Sequence, residues 1–157
     1  MRKIFLETSF FSFLDAKDAP IQQAETRALY DLLLESDSVQ PITSSAVVYE
    51  LKRCYEPKRQ FMMDRVKRLC EIIQVNEHDS DLMRGYLEDC VLTPKSETDL
   101  LHVAVAVRHG CSLILSWNMK HLANFRTVER VNKSNYHRGL CGIQIITPHV
   151  YFLEDNQ

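Results

Sequence analysis

Glycine and proline are scarce in this chain of 157 residues, with 4 and 5 occurrences, which excludes collagen-like, linker and low-complexity architectures. The glycines, at 85, 110, 139 and 142, form neither a dinucleotide-binding fingerprint nor a phosphate-cradling loop. No apolar run approaches the roughly 20 residues of a membrane span. Met1-Arg2-Lys3 followed by Ile4-Phe5-Leu6 starts like a secretory signal, but Glu7 interrupts the apolar run and no cleavage-like site comes after it. The cysteines at 54, 70, 90, 111 and 141 are too widely spaced to form a zinc or dithiol motif. They read as small hydrophobes in a reducing compartment, so a cytoplasmic location and no membrane association are expected. No nucleophile elbow and no thiol beside an obvious base is present, which argues against a serine or cysteine hydrolase.

A dominant charge of one sign is also lacking. The formal net charge of -2 excludes a nucleic-acid wrapper whose affinity comes from overall basicity. Charge is nevertheless segregated along the chain. Lys52, Arg53, Lys58, Arg59, Arg65, Lys67 and Arg68 outnumber Glu56 and Asp64, and Lys120, Arg126, Arg130, Lys133 and Arg138 outnumber Glu129. Such runs are either solvated helix faces or local patches for a polyanion.

The chain does have 45% hydrophobic sequence with no composition break, the signature of one domain spanning 1–157. Ile4–Leu6 has strand length, and residues 20–34 place Ala24, Ala28, Leu29, Leu32 and Leu33 at helical spacing. Val39–Thr43 reads as a second strand, leading through Ser44-Ser45 into a helix with Val47, Val48, Leu51 and Cys54. Pro57 opens another helical segment, Glu71–Val75 a third strand, and residues 79–89 a helix beginning with acids. Residues 96–109 are apolar nearly all round and stop at Gly110, as a buried helix would. Cys111–Leu115 is a fourth strand, Trp117–Asn124 a short helix or turn, Ile143–Ile146 a fifth strand, and Thr147-Pro148 opens a last turn. The alternation predicts an α/β fold in which helices flank a mostly parallel sheet of about five strands.

In such sheets ligands gather beyond the carboxyl ends of the strands. Glu7 comes directly after the first strand, and Asn118 after the fourth. Glu50 lies on the helix after the second strand, with Ala46 and Val47 one turn before it. Asp99 closes Ser96-Glu97-Thr98-Asp99, a pattern that also fits a helix capping box. Asn118 is likewise a natural cap for the residues after it. Taken together, the topology carries all four residues to one sheet edge, where a cluster of acids is relieved most simply by a divalent cation. Hard oxygen donors suit Mg²⁺ or Mn²⁺, and such an ion could activate water against a phosphodiester. His102, inside the buried helix, reads as a hydrogen-bonded core residue, and His121, beside Lys120, as a phosphate contact.

The stretches Phe5-Leu6-Glu7-Thr8-Ser9, Ser44-Ser45-Ala46-Val47-Val48-Tyr49-Glu50-Leu51, Asp99-Leu100-Leu101-His102-Val103-Ala104-Val105-Ala106 and Leu115-Ser116-Trp117-Asn118-Met119-Lys120-His121-Leu122-Ala123-Asn124 resemble, in order and spacing, those of PIN-domain nucleases, the VapC-like toxin ribonucleases among them. The resemblance covers essentially the whole chain and implies a three-layer PIN-like fold and a metal-dependent ribonuclease. It implies Glu7, Glu50 and Asp99 as ligands of Mg²⁺ or Mn²⁺, Asn118 as a further ligand or water-positioner, and the Thr8 and Ser116 hydroxyls as their support. It implies RNA as substrate, structured RNA such as tRNA included, and the basic stretches then offer Lys58, Arg59, Lys120 and His121 as candidate contacts to its backbone. An antitoxin partner and a homodimer are implied by the same analogy. The family's usual first acid is aspartate, and many members carry aspartate at the position of Asn118; this chain resembles a subgroup with glutamate first. Two readings result: an endoribonuclease, or a PIN-like domain that is catalytically weak or inactive and holds RNA or a protein.

Overall fold

Ile4, Phe5 and Leu6 are fully buried in succession, as are Leu113, Ile114 and Leu115, so the strands that carry them are covered on both faces. The computed structural model describes residues 1–155. Among these the order is β1 (Arg2–Leu6), α1 (Thr8–Ser12), α2 (Pro20–Glu35), β2 (Val39–Ser44), α3 (Ser45–Lys52), α4 (Lys58–Leu69), β3 (Glu71–Ile73), α5 (Glu77–Glu88), α6 (Glu97–Arg108), β4 (Leu113–Leu115), α7 (Phe125–His137), β5 (Gln144–Ile146) and α8 (Pro148–Asp155). Single 3-10 turns occupy Phe13–Asp15 and Pro94–Ser96. The five strands form one sheet in the order β3-β2-β1-β4-β5. Every pairing is parallel, with Phe5 beside Ile42 on one side and Ile114 on the other. Among the described residues no helix is long and apolar enough to cross a membrane.

The chain runs outward from β1 through β2 to β3, then crosses back to place β4 on the other side of β1. That reversal makes the carboxyl ends of β1 and β4 a topological switch point, where an open α/β sheet leaves a crevice. Glu7 and Ser116 come immediately after the paired Leu6 and Leu115.

One sequence expectation changes, and one helix lies where none was expected. In α2 the buried stripe is Thr26, Leu29, Tyr30 and Leu33, whereas Ala24, Ala28 and Leu32 face outward. The predicted apolar spacing was offset because Thr26 takes an interior place, bonding Gln22 O at 2.6 Å and receiving the Trp117 indole N–H at 2.8 Å. Residues 118–124 form turns, and the helix comes after them as α7, capped by the Asn124 side chain on Thr127 N. Its buried face is Thr127, Val131, Ser134 and Asn135, so its amphipathy comes from the cations on the opposite face rather than from a stripe of apolar residues.

Candidate active site

Glu7 is buried, with 4% of its surface exposed. Its Oε2 accepts from Ser9 N at 3.0 Å, Ser9 Oγ at 2.5 Å and Ser116 Oγ at 2.8 Å, so the side chain both caps α1 and bridges β1 to β4. Ser9 Oγ also accepts from Trp117 N at 2.7 Å. The Oε1 of Glu7 takes no hydrogen bond from the described residues.

Glu50 projects from α3 with a third of its side chain exposed. Thr8 Oγ1 donates to its Oε1 at 2.8 Å, and His102 Nε2 donates to the same oxygen at 2.5 Å. A carboxylate only accepts, so the imidazole carries its proton on Nε2. Burial pushes the Glu50 carboxyl up, but the His102 hydrogen bond and charge, with the Thr8 hydroxyl, outweigh it and leave the group below its ordinary value. Burial likewise pushes His102 down, and the hydrogen bond to Glu50 with the charges of Glu7, Glu50 and Asp99 lifts it above the ordinary histidine value. The two shifts agree in describing an ion pair. His102 Nδ1 is buried without a partner.

Asp99 is half-buried in the first turn of α6. Ser96 makes no side-chain capping bond, so the capping-box reading of this segment does not hold. Instead Asp99 Oδ1 accepts from Asn118 Nδ2 at 3.3 Å. Burial, then repulsion from Glu7, raises the Asp99 carboxyl, with Glu50 adding to it and His102 and His121 opposing it. Asn118 Oδ1 accepts from His121 N at 3.0 Å, as a cap of the turn, while Asn118 N donates to Ser116 Oγ at 3.0 Å. Asn118 therefore shows Asp99 an N–H rather than an oxygen.

The structure thus gathers Glu7, Glu50, Asp99 and Asn118 at the carboxyl edge of the sheet, with Thr8 on Glu50 and Ser116 on Glu7. Each carboxylate has one oxygen held by the protein and one that accepts nothing from the described residues. Among the described residues no three Asp, Glu, His or Cys side chains already stand close enough to hold an ion together. The physical reason is local: unneutralised carboxylates repel, and each is drawn toward its own donors. The donor set of hard oxygens, mutual repulsion and free carboxylate oxygens fits a magnesium or manganese ion that keeps several waters.

The other predicted contacts divide. Lys120 is exposed on the site turn and His121 sits beside Asn118. Arg59 is committed to Glu56 at 2.6 Å, and Lys58 is the first residue of α4. Ser9, with bonds to Glu7, Trp117 and Ser116, escaped sequence reasoning. Its signal was the Glu7-x-Ser9 spacing of a side chain folding onto its own turn. His102 is the buried, hydrogen-bonded residue that the sequence suggests, but its position along the chain does not show that α6 aims it at Glu50.

No protein-family model and no curated protein matches the chain. Solved structures do. VapBC2 from Rickettsia felis, bound to a DNA fragment from its promoter, is 16% identical and superposes with a TM-score of 0.59, covering 92% of this chain and 98% of that one. The fold is PIN-like. VapBC-1 from nontypeable Haemophilus influenzae is 13% identical with a TM-score of 0.57, over 94% of this chain and 98% of that one. VapC20 from Mycobacterium tuberculosis, a sarcin-ricin-loop-cleaving toxin, is 21% identical with a TM-score of 0.52, over 73% and 89%. The three-layer arrangement expected from the sequence is therefore the observed one, and the sheet is parallel throughout.

Proposed function

We propose that the protein is a divalent-metal-dependent endoribonuclease of PIN-like fold. The observation that carries this reading is three carboxylates at one sheet edge, each with one oxygen fixed by protein donors and the other free. Glu7, Glu50 and Asp99 would hold Mg²⁺ or Mn²⁺, which when bound lowers the pKa of a coordinated water and neutralises charge on the phosphodiester. The chain's own residues prepare that chemistry. Ser9 and Ser116 fix the Glu7 carboxylate, Thr8 and His102 fix that of Glu50, and Asn118 steadies Asp99 by donating to Oδ1. Burial, then repulsion from Glu7, raises the Asp99 carboxyl, a combination common at functional sites.

The superposed VapBC structures support a role as the toxin of a toxin-antitoxin pair, with a small antitoxin as partner, and VapC20 supports a structured RNA as target. The competing reading, a PIN-like domain that binds RNA or a protein without turnover, draws on Asn118 presenting its amide N–H to Asp99. Purified protein is incubated with total RNA, including folded tRNA, in Mn²⁺, Mg²⁺ or EDTA, beside Asp99→Ala. Discrete metal-dependent fragments that vanish in the variant are expected; intact RNA in every lane, with no metal uptake by calorimetry, would overturn the reading.

A further inference from the structure

Beside the carboxylates, two grooves run in series along α7. The first, about 380 Å³, is lined by Ser96 and His121 at the site end, by Leu92 and Pro94 along its wall, and by Cys90 and Arg130 at its far end. The second, about 490 Å³, begins with the same Cys90 and Arg130 and continues past Lys133 to His137. Ser96 leads into the helix that carries Asp99, and His121 N donates to Asn118, so the path begins at residues that flank the acidic cluster.

Charge runs along the path. Arg126, Arg130, Lys133 and His137 recur at helical intervals and so share one face of α7, a stripe of roughly 16 Å at 1.5 Å rise per residue. The side chains of Arg126, Arg130 and Lys133 form no ion pair or hydrogen bond with the described residues. The acid that lines the second groove, Asp89, is already answered: Ser134 Oγ donates to it at 2.5 Å and Arg138 pairs with it at 3.2 Å. Gly85 makes this pairing possible, since a Cβ there would fall 2.6 Å from the Arg138 guanidinium carbon. Arg130 and Lys133 are thereby left as uncompensated cations.

We infer that these grooves form a track for single-stranded RNA leaving the carboxylate site, with phosphates on Arg130 and Lys133 and a base against Leu92 and Pro94. The track rests on the nuclease reading only for the end at which the strand is cut. A chain of phosphates is the occupant that uncompensated cations at helical intervals suit, and the apolar wall suits the face of an unpaired base. Space of this size admits a base rather than a duplex. The basic residues of α4 line two other grooves, one with Lys52, Arg59 and Lys67 and one with Arg65 and Arg68 beside Asp31, but neither is lined by Glu7, Glu50, Asp99, Asn118 or His121, and Arg59 is paired with Glu56.

The test measures binding of a labelled single-stranded oligoribonucleotide in EDTA across a salt series, so that no cleavage is needed. Arg130→Glu with Lys133→Glu is expected to weaken binding by about tenfold or more and to flatten the log–log salt slope by about 1.4, two contacts at about 0.7 each. Lys67→Glu with Arg68→Glu, the same charge change on α4, is expected to leave both within about twofold. On the unaltered protein, bound RNA is expected to slow alkylation of exposed Cys90 but not of exposed Cys141. Equal losses from the α4 and α7 variants, or unprotected Cys90 in the saturated complex, would overturn the track; so would protection of Cys90 by an acidic peptide where RNA gives none. Tight, track-dependent binding without cleavage would instead sink the nuclease reading alone, and cleavage with an unchanged salt slope in the α7 variant would sink the track alone.

Discussion

Asp79 and Asp99 stand in the first turns of α5 and α6, two helices that pack together, and they end in opposite circumstances. Asp79 has no exposed surface and every need met. Its Oδ2 accepts from Asn76 N at 3.0 Å in a complete capping box, and Oδ1 faces Arg108 at 3.1 Å and His109 at 3.4 Å. Asp99 is half-exposed, has one amide on one oxygen, and feels the charges of two other carboxylates, Glu7 and Glu50. A buried acid placed for stability is surrounded by donors and cations, whereas the grouped acids, with one oxygen each left free, are the feature on which the proposed metal reading rests.

The largest break in that comparison comes from exchanging consequences. Asp79→Ala is expected to cost about 3 kcal/mol in chemical denaturation, because Arg108 is stranded and the α5 cap is lost, while metal-dependent cleavage per folded molecule stays at the parent level. Asp99→Asn is expected to bring cleavage to background and to leave the unfolding free energy within about 1 kcal/mol of the parent or above it. An Asp99→Asn protein that unfolds as easily as Asp79→Ala would place Asp99 among the structural acids.

Metal should sharpen the same contrast. At a Mn²⁺ concentration about a hundred times the dissociation constant, linkage gives about 2.7 kcal/mol of added stability. That gain is expected in the parent and in Asp79→Ala, and absent in Asp99→Asn; an equal thermal shift in all three would move the metal away from this edge.

The smallest effect concerns pH. In EDTA, His102 has a raised folded value, so the stability it contributes is complete below the ordinary histidine value of 6.5 and is lost as pH rises through the folded one. Glu50 is lowered, so its contribution is present above 4.5 and lost as pH falls through its folded value. The pair therefore supports the fold most between those ordinary values. His102→Gln should flatten the decline on the alkaline side in denaturation curves from about pH 5.5 to 8.5, and an unaltered slope would show that the pair is uncharged.

Periodicity exposed strands β1, β2, β4 and β5 and the helix α6 within a residue or two, because each is a short apolar segment bounded by polar or turn residues. It failed at α7, whose interior face is largely Thr127, Ser134 and Asn135, held by hydrogen bonds rather than by apolar contact. The Ser96-to-Asp99 and Asn76-to-Asp79 spacings look alike along the chain, and only the second closes into a capping box. Backbone geometry decides that: Asn76 is extended, at φ -121° and ψ 177°, while Ser96 ends a 3-10 turn at φ -101° and ψ 23°.

By itself, then, the sequence determined an α/β chain with acids at strand ends, since strand length, helix spacing and the cost of burying a carboxylate are local properties. Only the tertiary structure decided which atoms each acid meets. Parallel pairing of β1 with β4 puts Ser116 on Glu7, α6 aims His102 at Glu50 across the edge, and the packing of α5 on α6 encloses Asp79 while leaving Asp99 open. Those contacts join residues 29 to 109 positions apart, separations at which spacing along the chain carries no information about distance.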